Sequence, residues 1–214
     1  MRLYHGSPMK VEQPELELCR PHNDYGRGLY CTQDKELAME WACNRPGQNG
    51  FCNAYELDLE GLAVLNLDDA SYGVLAWLAV LMEHRIFDSE WNAASTKDRF
   101  IERYRVDLSD ADVVCGYRAD DSYFSIARAF LSGAITDTQA AEALHLGNLG
   151  RQTMLRSPPR AFASIRFAGA EIADASVWYT RRSVRDASAR RKFQAMRAAE
   201  NTAQGSRIYE LLED

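Results

Sequence analysis

The sequence lacks the features that mark membrane, metal-binding and disulfide-stabilised proteins. No run reaches the roughly 18 consecutive apolar residues that a membrane-spanning helix needs, and the first residues do not resemble a signal peptide. The 5 cysteines include no Cys-x-x-Cys pair, and the 4 histidines lack the short spacing of metal-ligating pairs. We therefore expect free thiols, no bound metal, no membrane partner and a cytoplasmic protein.

An excess of basic charge is also absent. The 25 Lys and Arg residues are outnumbered by 31 Asp and Glu residues, which gives a formal net charge of −6. Tight, sequence-independent binding to nucleic acid is therefore not expected, although a local basic groove would still allow a nucleic-acid partner. In contrast, 10 Tyr, 8 Phe and 4 Trp among 214 residues exclude a disordered chain and are sufficient for the core of one globular domain.

The order of apolar patterns and chain breakers predicts an α+β fold, with strands near both ends and helices between them. The predicted strands are Arg2–His5, Leu29–Thr32, Asn53–Leu59, Val113–Tyr117, Gln152–Arg156 and Ala163–Phe167. The predicted helices are one that starts after Thr32 or Asp34, and then Tyr72–Phe87, Thr96–Val106, Asp121–Leu131, Thr136–Leu146 and Ser183–Ala203. We expect one domain over residues 1–182 with a helical insertion at about residues 71–148, followed by a surface helix and tail over residues 183–214.

One set of residues near the amino terminus suggests a site for a flat ligand. His5 ends a predicted strand directly before Gly6, so its imidazole would be held rigidly beside backbone that a planar group can approach. Gly26-Arg27-Gly28 precedes Tyr30 in the next strand, and Trp41 follows in a helix. Two aromatic faces near a glycine-edged strand can sandwich a planar cationic ring such as nicotinamide.

At these positions the sequence resembles the ADP-ribosyltransferase superfamily, in its PARP and diphtheria-toxin-like branch with a His–Tyr–Glu signature. The resemblance is carried by His5-Gly6-Ser7, by Gly26–Tyr30 and by the strand that opens at Gln152. Its amino-terminal motifs cover roughly residues 2–43. Within that branch the sequence looks like a bacterial family of small proteins, domain of unknown function 3990. This likeness extends through Arg118-Ala119-Asp120-Asp121 and Gln152–Ser157.

The resemblance implies a fold in which two split antiparallel sheets open around a cleft for NAD, the substrate that donates ADP-ribose. It implies that His5 hydrogen-bonds the adenosine ribose, that the backbone of Gly6 holds the nicotinamide carboxamide, and that Tyr30 stacks on the nicotinamide ring. Trp41 would take the second aromatic position. The other residues expected to contact NAD are Ser7, Arg27, Gly28 and Thr32.

Two positions depart from the family pattern. The family often has a serine near the position of Ala38 that contacts the carboxamide, so Ser7 or Thr32 would have to replace it. The family's catalytic glutamate, which opens a late strand, corresponds to Gln152. A glutamine keeps the hydrogen bond to the nicotinamide ribose but loses the charge that stabilises the transition state.

The same resemblance sets the expected catalytic and acceptor residues. The expected catalytic residues are His5, Tyr30 and Gln152. Glu171 and Asp121 are the candidate replacement carboxylates if Gln152 is structural. Asp120 and Asp121 directly follow a predicted strand, where loop carboxylates either seat an acceptor substrate or cap the next helix.

The function implied by the resemblance is mono-ADP-ribosylation of a cytosolic protein or nucleic acid, as in bacterial toxins and effectors. The expected partners are NAD, a macromolecular acceptor and a cognate antitoxin. Two alternatives share the fold: a non-catalytic module that binds NAD or a partner, and an RNA 2′-phosphotransferase. The second alternative needs basic residues that grip a phosphate, for which Arg2, Arg20 and Arg27 are the candidates. The charged helix predicted at Ser183–Ala203 is either a solvated face or a partner-binding helix.

Overall fold

The computed structural model describes residues 1–86, 93–119, 121–146, 150–198 and 204–213, which form an α+β fold. The strands are β1 (Arg2–Ser7), β2 (Leu29–Cys31), β3 (Gly50–Leu57), β4 (Val64–Asn66), β5 (Val113–Tyr117), β6 (Arg151–Leu155) and β7 (Ile165–Ala173). The helices are α1 (Lys35–Ala42), α2 (Gly73–His84), α3 (Ala93–Tyr104), α4 (Asp121–Leu131), α5 (Asp137–Ala143), α6 (Ala175–Ala198) and α7 (Ile208–Leu211). Among the helices in these ranges, none is both long enough and apolar enough to cross a bilayer.

The strands are divided between two sheets. One sheet has the order β1-β3-β7 and is antiparallel throughout. The other has the order β2-β6-β5-β4, and its β4 runs parallel to β5. The expectation that both sheets are antiparallel is therefore wrong for this pair. Parallel neighbours need a long crossover connection, and α2 and α3 lie in the chain between β4 and β5.

The two sheets meet where β1 passes β2. The backbone N–H of Tyr4 donates to the carbonyl of Thr32 at 2.7 Å, and the N–H of Thr32 donates to the carbonyl of Tyr4 at 2.9 Å. This single bridge joins one edge of each sheet, so the predicted His5 and Tyr30 lie on adjacent strands of different sheets.

Buried apolar side chains fill the space between these layers. A large cluster surrounds α2, where Trp77, Leu78 and Leu81 are almost completely buried, and helices α3 and α5 pack on α2. A smaller cluster lies between the sheets and includes Leu3 of β1 and Leu29 of β2. The near-continuous apolar sequence of α2 follows from this position, because a helix buried on most sides has little polar face.

Several predicted elements are confirmed with small changes in their bounds. The strand Val113–Tyr117 and the helix Asp121–Leu131 have the predicted ends, and Thr136 caps α5 through the expected capping box with Gln139. The charged carboxy-terminal helix begins at Ala175 rather than Ser183, so it crosses the boundary expected at residues 182 and 183. The expected end of that helix lies outside the described residues. Strand β4 and helix α7 were not predicted from the sequence.

Candidate functional site

The predicted His5 and Tyr30 are brought together by a side-chain to backbone contact. His5 Nδ1 lies 2.7 Å from the carbonyl oxygen of Tyr30. A carbonyl only accepts hydrogen bonds, so Nδ1 carries the proton and Nε2 keeps its lone pair. Burial lowers the pKa of His5, and the bond to the Tyr30 carbonyl opposes this shift only in part. The imidazole is therefore neutral near pH 7, with Nε2 as a hydrogen-bond acceptor.

Gly6 has a packing function that differs from the one the sequence suggested. A Cβ at this position would lie 2.6 Å from the backbone nitrogen of Ala42 and 2.7 Å from Cβ of Trp41. The missing side chain therefore allows α1 to pack against β1, rather than leaving space for a flat ligand. Strand alternation nevertheless directs the N–H and C=O of Gly6 to the same edge of β1 as those of Tyr4, which faces β2.

Helix α1, which carries Trp41, is fixed at its start by Asp34. The carboxylate of Asp34 accepts the backbone N–H groups of Glu36 and Leu37 at 2.9 and 3.2 Å, as one of the two predicted caps would do. This cap fixes the first turn of the helix that packs on Gly6.

The hydroxyl of Tyr30 closes the loop that leads into β2. It donates to the carbonyl of Gly26 at 2.7 Å and accepts the backbone N–H of Tyr25 at 2.9 Å. The ring centroids of Tyr25 and Tyr30 are 6.3 Å apart. Burial raises the pKa of Tyr30 well above its ordinary value. The phenol is therefore neutral and restrained, and its stacking on nicotinamide stays a prediction.

One face of the Trp41 indole is covered by a cation. Cζ of Arg118 lies 4.2 Å from the centroid of the Trp41 ring, which is a cation–π contact. The indole Nε1 is buried and has no hydrogen-bond partner among the residues that the structure describes. Sequence reasoning linked Arg118 to the family likeness but assigned it no role, because a single arginine after a strand has no distinctive pattern.

Gln152, which the resemblance places at the nicotinamide ribose, does not lie at an open cleft. Only 2% of the residue is exposed, because β6 is an inner strand with β2 on one side and β5 on the other. Its Nε2 donates to Oδ2 of Asp24 at 2.9 Å and to the carbonyl of Tyr117 at 3.2 Å. The amide is thus part of a buried polar network.

Asp24 is the centre of that network and was not identified from the sequence. Its Oδ1 accepts Nε of Arg85 at 2.9 Å, and its Oδ2 accepts the backbone N–H of Ala119 at 2.9 Å. Arg85 also donates to the carbonyl of Ala119 at 3.1 Å. The side chain of Asp24 is 5% exposed and that of Arg85 is 24% exposed. The sequence gives no sign of this pair, because Asp24 lies in a loop, Arg85 directly follows α2 and Ala119 follows β5.

The other residues expected to contact NAD are engaged within the chain. The Ser7 hydroxyl donates to the carbonyl of Met9 at 2.8 Å, and the Thr32 hydroxyl accepts the backbone N–H of Asp34 at 3.1 Å. Arg27 donates to two backbone carbonyls of the preceding loop. A Cβ on Gly28 would lie 2.6 Å from the carbonyl of Leu155, so this glycine permits β2 to approach β6.

Of the candidate replacement carboxylates and phosphate-binding arginines, Glu171 and Arg2 are each held in an exposed ion pair. Glu171 lies on β7, two strands from β1, in an exposed ion pair with Lys35 at 2.7 Å. Arg2 pairs with Glu56 at 2.6 Å on the sheet surface. Asp120 and the turn at residues 147–149 lie outside the described residues, and Asp121 is the first residue of α4 with a side chain that is likewise not described.

Two further kinds of chemically active side chain are metal ligands and cysteine thiols. Within the described ranges, no three His, Cys, Asp or Glu side chains are grouped as a metal site requires. All of the cysteines are free thiols. Burial raises the pKa of Cys52 to about 11, so this thiol stays protonated and unreactive at neutral pH.

Comparison with known proteins gives the family. The chain belongs to the family described as Protein of unknown function (DUF3990), whose model matches residues 1–167. No curated protein and no solved structure matches the chain. The matched region contains both strands of the junction, the Asp24 network and Arg118, and it ends before α6.

Proposed function

We propose that the chain binds NAD at the β1–β2 junction and transfers single ADP-ribose units to a macromolecular acceptor. The observation that carries the proposal is the contact between His5 Nδ1 and the Tyr30 carbonyl, which joins the two predicted signature residues across the sheet boundary. The resemblance to ADP-ribosyltransferases implies that both residues contact one dinucleotide in a cleft between two split sheets. The α+β architecture with two sheets supports the same interpretation.

The polar groups at the junction fit a dinucleotide. The Nε2 lone pair of His5 can accept a ribose hydroxyl, because Nδ1 is committed to Tyr30. The N–H and C=O of Gly6 face the junction and can hold a carboxamide, which has both a donor and an acceptor. The buried Nε1 of Trp41, unpartnered among the described residues, is a further donor that a bound ligand would satisfy.

The proposed transfer breaks the bond between C1′ of the nicotinamide ribose and the nicotinamide nitrogen. Nicotinamide leaves with the electron pair, a lone pair of the acceptor forms the new bond to C1′, and the acceptor's proton passes to solvent. His5, Gly6 and Tyr30 bind and orient the substrate in this scheme. The buried Gln152 acts at a distance, through the network that it shares with Asp24.

Calorimetric titration with NAD tests the proposal directly. His5→Asn keeps a donor near the position of Nδ1 and removes the Nε2 acceptor, whereas His5→Gln approximates Nε2 and loses the bond to Tyr30. We expect the wild-type chain to bind NAD and His5→Asn to bind it about tenfold more weakly, as the loss of one hydrogen bond implies. His22→Ala, which removes an exposed histidine, is the matched control and should bind as wild type does. A wild-type chain that binds no NAD contradicts the proposal.

A non-catalytic NAD-binding module is the second candidate. It is favoured by one observation, which is that the position of the family's glutamate is occupied by a buried amide. Release of nicotinamide distinguishes the two functions, because a transferase consumes NAD when a lysate acceptor is added and a binding module does not. Binding without any release would favour the module.

A further inference from the structure

Arg118 is held at the junction by its stacking on Trp41. Its guanidinium lies over the indole, and Cβ of Trp41 lies 2.7 Å from the position that a Cβ on Gly6 would take. A guanidinium that stacks on an aromatic face keeps its charge, and its N–H donors lie in the plane of the group, parallel to the ring. The stacking therefore holds the guanidinium plane against Trp41, one of the residues that we assign to NAD.

The backbone on both sides of Arg118 is fixed by buried side chains. The carbonyl of Tyr117 accepts Nε2 of Gln152 at 3.2 Å and Nε1 of Trp77 at 3.1 Å. The N–H and C=O of Ala119 are bonded to Asp24 and Arg85 respectively. No side chain in this network is needed to complete a helix or a sheet, so its common effect is to fix residues 117–119.

A buried ion pair is an expensive way to stabilise a fold, because the desolvation of both charges offsets most of their attraction. What the pair provides here is a defined position for the segment between β5 and α4. The side chain of this segment that contacts Trp41 is Arg118. The chain as a whole has a net charge of −6, so an anionic ligand requires a local cation of this kind.

We infer that Arg118 binds the anionic diphosphate of NAD, and that Asp24 is a positioning residue that acts through Arg118. This inference rests on the proposed function. A guanidinium matches phosphate oxygens with paired N–H donors, and the diphosphate is the group that links the adenosine and nicotinamide halves of the dinucleotide. His5 and Gly6 are adjacent and are assigned to different halves, so the linking group lies near them, and Trp41, which Arg118 stacks on, packs on Gly6.

The test compares ligands with and without the diphosphate, by calorimetry on the full chain. The probes are NAD, ADP-ribose and adenosine. We expect Arg118→Gln to weaken NAD and ADP-ribose by about tenfold or more and to leave adenosine unchanged, because a hydrogen bond to a charged group is lost. Arg118→Lys should give an intermediate loss, since it keeps the charge without the planar fork. Arg191→Gln, which removes an exposed arginine of α6, is the matched control.

The positioning role of Asp24 has its own readout. Asp24→Asn should weaken NAD but not adenosine, and the double variant with Arg118→Gln should bind NAD no more weakly than Arg118→Gln alone. A merely structural role would weaken all of the ligands and would add to the effect of Arg118→Gln. Unfolding curves for each variant show whether the comparison is made on folded protein.

The outcomes separate this inference from the proposed function. If wild type binds NAD with the expected dependence on His5, and Arg118→Gln binds it equally well, the inference is overturned and the proposed function stands. Equal losses for NAD and adenosine in Arg118→Gln also overturn it. If wild type binds neither NAD nor ADP-ribose, both fail.

Discussion

Substitution of Gln152 tests whether the strand that opens with the family's third motif faces a cleft or the interior. Gln152→Ala removes the donor to Asp24 Oδ2 and the donor to the Tyr117 carbonyl. The residue is 2% exposed, so water does not easily replace the lost partners. A hydrogen bond to a charged group contributes about 1.5–3 kcal/mol and a neutral one about 1 kcal/mol. We therefore expect the free energy of unfolding to fall by about 2–4 kcal/mol.

Gln152→Glu gives a second, pH-dependent signature. It replaces an amide nitrogen 2.9 Å from Asp24 Oδ2 with a carboxylate oxygen. Two carboxylates at this separation cannot both be ionised without a large cost, so the new side chain should have a raised pKa. A group with a raised pKa in the folded state favours folding at low pH and loses that contribution as the pH rises. The variant should therefore be least stable relative to wild type at neutral pH, and the difference should shrink on acidification.

Urea unfolding of wild type and both variants, at neutral pH and near pH 5, measures these effects. Gln48 is exposed, so Gln48→Ala and Gln48→Glu provide the same chemical changes without burial. An unfolding free energy for Gln152→Ala within about 0.5 kcal/mol of wild type, the range of ordinary surface substitutions, would refute the reasoning. It would mean that Gln152 faces solvent and is available to a ligand, as the sequence alone suggested.

Three further predictions follow from the same contacts. Gly6→Ala should destabilise the fold by about 1–3 kcal/mol in urea unfolding, because the new methyl group meets the backbone of α1 and not a flexible side chain. The lowered pKa values of His5 and His84 mean that the unfolded chain binds more protons, so stability should fall as the pH drops below about 6.5, and His5→Asn should reduce that slope. All 5 cysteines should react with an alkylating reagent after denaturation, whereas the completely buried Cys31 should react slowly in the folded chain. An intact wild-type slope in His5→Asn, or rapid labelling of Cys31, would contradict the corresponding assignment.

Local sequence signals were sufficient for most of the secondary structure but not for the environment of the site. The capping box at Thr136 and the apolar run of Val113–Tyr117 act within a few residues, and both were predicted. The pairing of β4 with β5 depends on a contact between strands that are far apart in the chain, and the three residues of β4 are too few for a period. Short, weakly patterned strands of this kind are defined by their neighbours in the sheet.

The site residues also divide into those with a local sequence signal and those that depend on contacts between distant segments. His5 and Tyr30 were assigned to one site through a family motif, since each lies next to diagnostic glycines, and their contact with NAD stays a prediction. The burial of Gln152 was not, because a strand's position inside or at the edge of a sheet is a property of the whole topology. Asp24 and Arg85 carry no local signal at all, and only the fold brings their charges within 2.7 Å of each other.

The buried network also sets what kind of catalysis the proposed site can support. As nicotinamide leaves, positive charge grows on the ribose, and an electrostatic group aimed at such charge contributes about 3–4 kcal/mol in comparable sites. Of the carboxylates whose side chains the structure describes, Asp24 is the one bonded to the third motif position, and its charge is already balanced by Arg85.

Without that counter-charge, hydrolysis of NAD by water should be slow, by about a hundredfold or more relative to a site with a free carboxylate. The rate of transfer would then depend more on the strength of the acceptor's nucleophile than on the chain's own residues. The ratio of nicotinamide release with and without acceptor is therefore the informative quantity. If release is rapid and equally fast with and without acceptor, a carboxylate other than Asp24 faces the ribose and supplies the charge.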